Sequence, residues 1–366
     1  MNFETTYQTL ELPLSLMRAL ISDTEYKMGR HALTIEVGEK VTLTFYDKKM
    51  RVDMKYTIEE ATPVLEGVAT CSMTDFFEVL KSFKKAEDVL LIEREENLLR
   101  IDDGVYAEDV IGLLDDGDLV VIDENDQVTS FFKANSKEFS AALSRSALML
   151  KKTDIPTNEL DTQSVYIEAK GKDELLFNVF AIHHAYREES SAELFHPVSI
   201  QFPKAVVSLL TRFTDALKNK NLSFILEEAL RDEQRFLVLR GEHFEIAVKG
   251  KFTVPVSKTN VFSTVAENME NLLSTLSTTA IKNSSAISKA KASELVVLGD
   301  EKLVKAESGF SAQMLNRFKQ KDAWTNQSEV YQIVEQDGHP TILVIRDAVP
   351  GVKKMMTFSY RSNEGA

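Results

Sequence analysis

Lys137, Arg145 and Lys151 have the same internal spacing as Lys204, Arg212 and Lys218. At about 100° per residue each trio falls within roughly 120° of helical arc, and Phe139, Leu143, Leu150 and Val206, Leu210, Leu217 lie nearly opposite. Both stretches are therefore predicted to be helices with a core side and a basic side. Such a face does electrostatic chemistry: lysine and arginine hold phosphate oxygens without making or breaking bonds. A solvated surface gives the same pattern in any single helix. Shared offsets and a shared sign in several helices point instead to one polyanion met by all of them.

The charge balance strengthens that reading. Five predicted helical segments, 74–85, 136–152, 204–220, 277–293 and 310–321, hold 17 Lys or Arg against Asp75, Glu78, Glu138 and Asp215. Their +13 leaves −27 on the rest of a chain whose formal charge is −14, so the signs are segregated by element. The cations expected to face a phosphate backbone are Lys81, Lys84, Lys85, Lys137, Arg145, Lys151, Lys152, Lys204, Arg212, Lys218, Lys282, Lys289, Arg317 and Lys321.

Other chemistry finds no constellation. His183 and His184 are neighbours on a predicted strand, hence on opposite faces, and no Cys, Asp or Glu stands at ligand spacing nearby. The acidic runs Asp115–Asp118 and Asp123–Asp126 lack the glycine and closing glutamate of a calcium loop. No phosphate-binding loop, dinucleotide fingerprint or nucleophile elbow occurs. Trp324 reads as a packing residue. The expectation is a protein that is not an enzyme and carries no metal or cofactor. A lone Cys71 fits a reducing compartment, and no stretch reaches the ~18 apolar residues of a membrane span. A soluble, cytoplasmic protein is expected.

The elements that must position these cations come in pairs. First helices are predicted near 6–21, 136–152 and 264–280, and second helices near 74–85, 204–217 and 310–320, with Pro13 interrupting the earliest or marking a later start. Between them lie short alternating runs, among them Val41–Tyr46, Val52–Tyr56, Leu98–Asp102, Ser164–Ala169, Phe236–Arg240, Phe244–Lys249, Ile342–Arg346 and Met355–Tyr360. Turns such as Asp102-Asp103-Gly104 and Asp337-Gly338 make these antiparallel meanders. The fold class is α+β: a threefold repeat, each unit an antiparallel sheet packed on two helices, with a turn-rich linker at Asp123–Gln127 and another at Thr253–Asn260. The predicted domains are 1–127, 128–255 and a shortened 256–366.

This organisation resembles the bacterial DNA polymerase III beta sliding clamp, the processivity factor, in divergent form. The resemblance spans nearly the whole chain. Its densest stretches are Val41–Tyr56, Met73–Leu80, Val89–Ile101, Leu175–Arg187 and Val198–Phe213, whose VSIQFPKAVVSLLTRF is similar to the family's strand, Pro-Lys turn and second helix. Gly250-Lys251-Phe252 resembles the triplet closing the family's middle domain, and Met355–Arg361 its terminal strand and tail. The chain departs from the family at Ala181-Ile182-His183-His184-Ala185-Tyr186, which lacks an Asp-Gly turn, at Thr253 and at Phe358-Ser359-Tyr360-Arg361-Ser362.

The resemblance implies a non-catalytic, head-to-tail homodimer, each chain half of a closed ring around duplex DNA, held without reading sequence. It implies that the clamp tethers a replicative DNA polymerase, and meets the clamp loader, through short linear peptides. By position, that partner-peptide pocket would be lined by His184, Ala185, Tyr186, Val254, Met356, Phe358 and Tyr360. Localisation with the nucleoid follows from the same resemblance. The competing expectation is a non-ring scaffold whose basic helices engage an acidic partner.

Overall fold

The computed structural model describes residues 1–21, 31–47, 52–84, 89–111, 126–150, 164–181, 184–218, 220–231, 233–249, 295–298, 303–313, 315–316, 328–334, 340–347 and 354–359. The helices α1 (Tyr7–Leu20), α2 (Met73–Ser82), α3 (Ser136–Met149) and α4 (Lys204–Lys218) stand where the cationic and apolar periodicity puts them. Starts of α1 and α3 are 129 residues apart, and those of α2 and α4 are 131 apart.

One module recurs: a lead strand, a helix, then three antiparallel strands. Asn2–Thr5 leads α1 and the strands Ala32–Val37, Val41–Asp47 and Val52–Ile58. Gly67–Ser72 leads α2 and Leu90–Glu95, Leu98–Asp102 and Ala107–Ile111. Gln127–Asn135 leads α3 and Ser164–Lys170, Glu174–Ala181 and His184–Ser191. Ser199–Pro203 leads α4 and Ser223–Arg231, Gln234–Arg240 and Phe244–Lys249. Successive modules exchange lead strands. Asn2–Thr5 pairs with Leu90–Glu95 and Gly67–Ser72 with Ala32–Val37, and the same exchange joins Gln127–Asn135 to Ser223–Arg231 and Ser199–Pro203 to Ser164–Lys170. Further along, Phe310–Ser311 pairs with Leu295–Leu298 in the same relation and runs into helical residues 312–316, of which residue 314 is not described.

The chain divides into two compact units, residues 1–137 with 212–250, and residues 138–211 with 251–366. In the first, a long sheet runs in hydrogen-bonded order through Gln127–Asn135, Ser223–Arg231, Gln234–Arg240, Phe244–Lys249, Val52–Ile58, Val41–Asp47, Ala32–Val37 and Gly67–Ser72. Across it Phe132, Leu226, Leu239, Ile246, Met54, Phe45, Leu33 and Cys71 stand in register, every one essentially inaccessible to solvent. At roughly 1.5–3 kcal/mol for each large apolar side chain buried, this row organises the unit. On the opposite face Ala229, Phe236, Val238 and Ala247 form a second buried cluster, so both faces are covered.

In the second unit the sheet order is Ser199–Pro203, Ser164–Lys170, Glu174–Ala181, His184–Ser191, Lys354–Ser359, Pro340–Asp347 and Ser328–Val334. Phe202, Val165, Val179, Tyr186, Ile345 and Val330 are the buried members of its central row.

Two details differ from the sequence reading. Pro13 neither stops α1 nor delays it. Its missing N–H costs a hydrogen bond, about 3 kcal/mol in an exposed helix. Burial of Leu10, Leu14, Leu16 and Met17 around it outweighs that loss, and Thr6 caps the start by accepting from the Thr9 N–H at 3.2 Å. The strand Gln127–Asn135 begins where the sequence suggests only a linker. A register shift between Ser130 and Phe132 puts both Phe131 and Phe132 inside, which destroys the alternation expected of a strand. No described helix is long and apolar enough to cross a membrane. The predicted helix 264–280 lies outside the described residues.

Candidate nucleic-acid interface and partner pocket

The two equivalent arginines share one fate: both guanidiniums are tied to the protein. On α3, Arg145 places Nε 3.1 and 2.9 Å from the two carboxylate oxygens of Glu188, and its Nη2 closes the pair. The Glu188 side chain is 4% exposed and that of Arg145 is 17% exposed. The Tyr186 hydroxyl donates to the same carboxylate. The reason is visible in the sheet. Glu188 stands in register with Phe177 and, through it, with Ile167 and Ile200, all buried. A carboxylate in that row needs a cation, because an unpaired buried charge is far costlier than a paired one. Phe139 packs edge-on against Phe177 at 5.3 Å and so lays α3 over this face, bringing Arg145 to Glu188. Burial alone would lower the Arg145 pKa, but the hydrogen bonds and charge of Glu188 outweigh it and the net shift is upward. The Tyr186 hydroxyl is pushed well above its ordinary value, first by burial and then by the charge of Glu188.

On α4, Arg212 donates from Nη2 to the carbonyl of Leu20 at 3.2 Å, so it satisfies the C-terminal end of α1. The lysines behave differently. Lys137 and Lys204 are exposed within the first two residues of their helices, and Lys84 is exposed just beyond α2. The backbone N–H of Lys137 is held by Asn135 Oδ1 at 2.9 Å, which fixes the start of α3. Lys81 reaches Glu78 at 2.7 Å and lies over the Phe77 ring, while Lys218 reaches Asp215 at 2.8 Å. These last pairs are exposed on both sides, and such pairs hold a lysine by at most about 1 kcal/mol. A phosphate can compete for cations bound that weakly. Lys85, Lys151, Lys152, Lys282, Lys289, Arg317 and Lys321 lie outside the described residues.

Of the expected partner-pocket residues, the structure pairs five on adjacent strands, three from the middle of the sequence and two from some 170 residues further on. In paired strands His184 stands opposite Phe358, Ala185 opposite Thr357 and Tyr186 opposite Met356. Successive strand residues alternate, so Ala185 and Tyr186 take opposite faces of the sheet. Tyr186 has no solvent exposure and Ala185 only 6%, which makes both of them sheet core here. Val254 and Tyr360 lie outside the described residues. Among the described residues, no group of three or more His, Cys, Asp or Glu is placed to hold a metal ion.

Sequence reasoning missed Glu188. In Arg187-Glu188-Glu189-Ser190 it reads as part of a solvated acidic run, and nothing in local spacing connects it to Arg145, 43 residues away. The one available signal is alternation: Glu188 falls on the face of Tyr186, and an inward tyrosine implies an inward carboxylate.

No family model and no curated protein matches the sequence. Solved structures do. The beta subunit of DNA polymerase from Streptococcus pyogenes superposes with a TM-score of 0.66 at 12% identity, covering 99% of this chain and 100% of that one. A beta clamp from Helicobacter pylori, in complex with 3,4-difluorobenzamide, gives 0.63 at 14% identity over 99% and 100%. The DNA polymerase III subunit beta of Pseudomonas aeruginosa gives 0.57 at 14% identity over 99% of this chain and 84% of that one. With next to no shared sequence, the agreement rests on the order and pairing of elements along the whole chain. The chain has the fold of the beta clamps of DNA polymerase III.

Proposed function

We propose that this chain is a DNA sliding clamp, a non-catalytic processivity factor. Its three repeats, 1–127, 128–255 and 256–366, make half of a ring that a second copy closes head to tail around duplex DNA. The observation that carries the reading is the likeness of fold over 98–99% of the chain to polymerase beta subunits. The exposed lysines of α2, α3 and α4 in an otherwise acidic protein support it. A clamp must hold phosphates loosely enough to slide, and Lys81, Lys137, Lys204 and Lys218 suit that because each is an exposed ammonium on a four-carbon stem. Catalysis is not needed, since topological enclosure raises the local concentration of a bound polymerase without tight DNA affinity. A replicative polymerase and the loader would dock short linear peptides beside the strand pair His184–Ser191 and Lys354–Ser359.

The test is topological. Protein loaded on nicked circular DNA is expected to remain bound at moderate salt and to be lost when the circle is linearised. Equal retention on the two forms would overturn the ring. The triple substitution Lys137→Glu, Lys204→Glu, Lys218→Glu is expected to reduce loading with little change in melting temperature. A chain that stays monomeric at micromolar concentration would favour a non-ring scaffold instead.

A further inference from the structure

In the first unit, away from the residues given a role above, a cavity of about 510 Å³ opens between α1 and the hairpin turn that joins Gln234–Arg240 to Phe244–Lys249. That volume is in the range of small-molecule sites, roughly 300–1,000 Å³. Its floor is apolar and largely aromatic: Leu12 of α1, Tyr56, Phe224 and Phe244. The floor is built by a tight turn. The Gly241 N–H donates to the Phe244 carbonyl at 2.8 Å, and the Phe244 ring lies across Gly241 so closely that a Cβ there would sit 2.2 Å from a ring carbon. Phe213 of α4 braces the same ring edge-on at 5.5 Å. The aromatic surface is thus held in place before any ligand arrives.

The rim is polar and asymmetric. Lys133 is exposed beside the cavity, and the His243 ring tilts over Tyr56 at 6.4 Å. Arg240 also lines it, but its guanidinium is committed to Glu227 at 3.0 Å and Glu245 at 3.1 Å. The one lining acid, Glu242, is 82% exposed and so well hydrated. His243 Nε2 stands 3.9 Å from the Glu242 carboxylate.

We propose that this cavity binds a small aromatic carboxylate. Its ring lies on Tyr56 and Phe244, and its carboxylate faces Lys133. The site does not depend on whether the chain encircles DNA.

The probe is 2-naphthoate, with 2-naphthalenemethanol as its neutral counterpart, titrated calorimetrically into the full-length protein. The expected result is saturable binding of 2-naphthoate at one site per chain, tighter than the alcohol. Ser223→Trp, an exposed lining position, fills the mouth and is expected to abolish binding while leaving the circular dichroism melt unchanged. Lys133→Met is expected to weaken 2-naphthoate two- to fivefold and leave the alcohol unaffected, the range set by an exposed ion pair. Binding that survives Ser223→Trp, or equal affinity for acid and alcohol, would overturn the proposal. So would the absence of saturation by 2-naphthoate up to its solubility limit.

Discussion

Replacing Arg145 by methionine separates an anchor from a DNA contact. The substitution keeps the volume of the stem on α3 and removes the guanidinium bound to Glu188, whose side chain is 4% exposed and whose cross-strand neighbour is Lys354. Loss of one member of a buried ion pair costs about 3–5 kcal/mol, because the remaining charge has no water to turn to. For a cooperative unit of this size each kcal/mol moves the melting temperature by about 2–4 °C, so a fall of roughly 6–20 °C is expected. Adding Glu188→Gln should return most of it, since the amide oxygen still accepts from the Tyr186 hydroxyl while the stranded charge is gone. Calorimetry of Arg145→Met, Glu188→Gln and the double variant gives the coupling directly. The reasoning is refuted if Arg145→Met melts like the parent. If that variant were also lost from circular DNA, the guanidinium would be a phosphate ligand and the pair with Glu188 incidental.

Two further expectations rest on buried titrating groups. Burial lifts the Asp53 carboxyl from an ordinary 3.8 to about 7, against the charge of Arg231, so the folded protein holds a proton that the unfolded chain has released. Stability from this group is complete below about pH 4, falls as pH rises towards 7, and above that carries a penalty of up to about 4 kcal/mol. Asp53→Asn is therefore expected to stabilise the protein increasingly between pH 5 and 7, by about 1.4 kcal/mol per pH unit, and by a constant amount above pH 7. Paired denaturant titrations across that range check the slope, and a gain independent of pH would refute the assignment. Burial, helped by the charge of Asp75, raises the Cys71 thiol to about 12, and Cys71 ends the buried row of the long sheet. A thiol-disulfide reagent at pH 8 should label it only as fast as this unit opens, with full reaction in denaturant. Rapid labelling of the native protein would place Cys71 at the surface instead.

What the sequence made legible is what depends on periodicity. The helices α3 and α4 carry their core and cationic residues at offsets that a 3.6-residue turn converts directly into faces, and Phe139, Leu143, Leu210 and Leu217 are buried as those faces require. Strands whose sequence is rich in β-branched and aromatic residues, such as Val41–Asp47 and Phe244–Lys249, were equally readable, although each is buried at three successive positions. Gln127–Asn135 was not, because its bulge turns two consecutive phenylalanines inward and no period-2 pattern survives that. Equivalent spacing also gave Arg145 and Arg212 the same apparent role as the lysines around them, yet a cation's role is set by what approaches it from other elements. Glu188 comes to Arg145 from a strand and the Leu20 carbonyl comes to Arg212 from the end of α1, and neither encounter leaves a mark in helical spacing. Lysine and arginine part company for a physical reason. The planar guanidinium can satisfy a carboxylate or carbonyl while largely shielded, whereas the strongly hydrated ammonium stays in water. A basic helix face whose inner cations are arginines and whose outer ones are lysines therefore divides its labour: the arginines fasten the helix to the element beside it, a strand for Arg145 and the end of α1 for Arg212, and the lysines remain open to an anion.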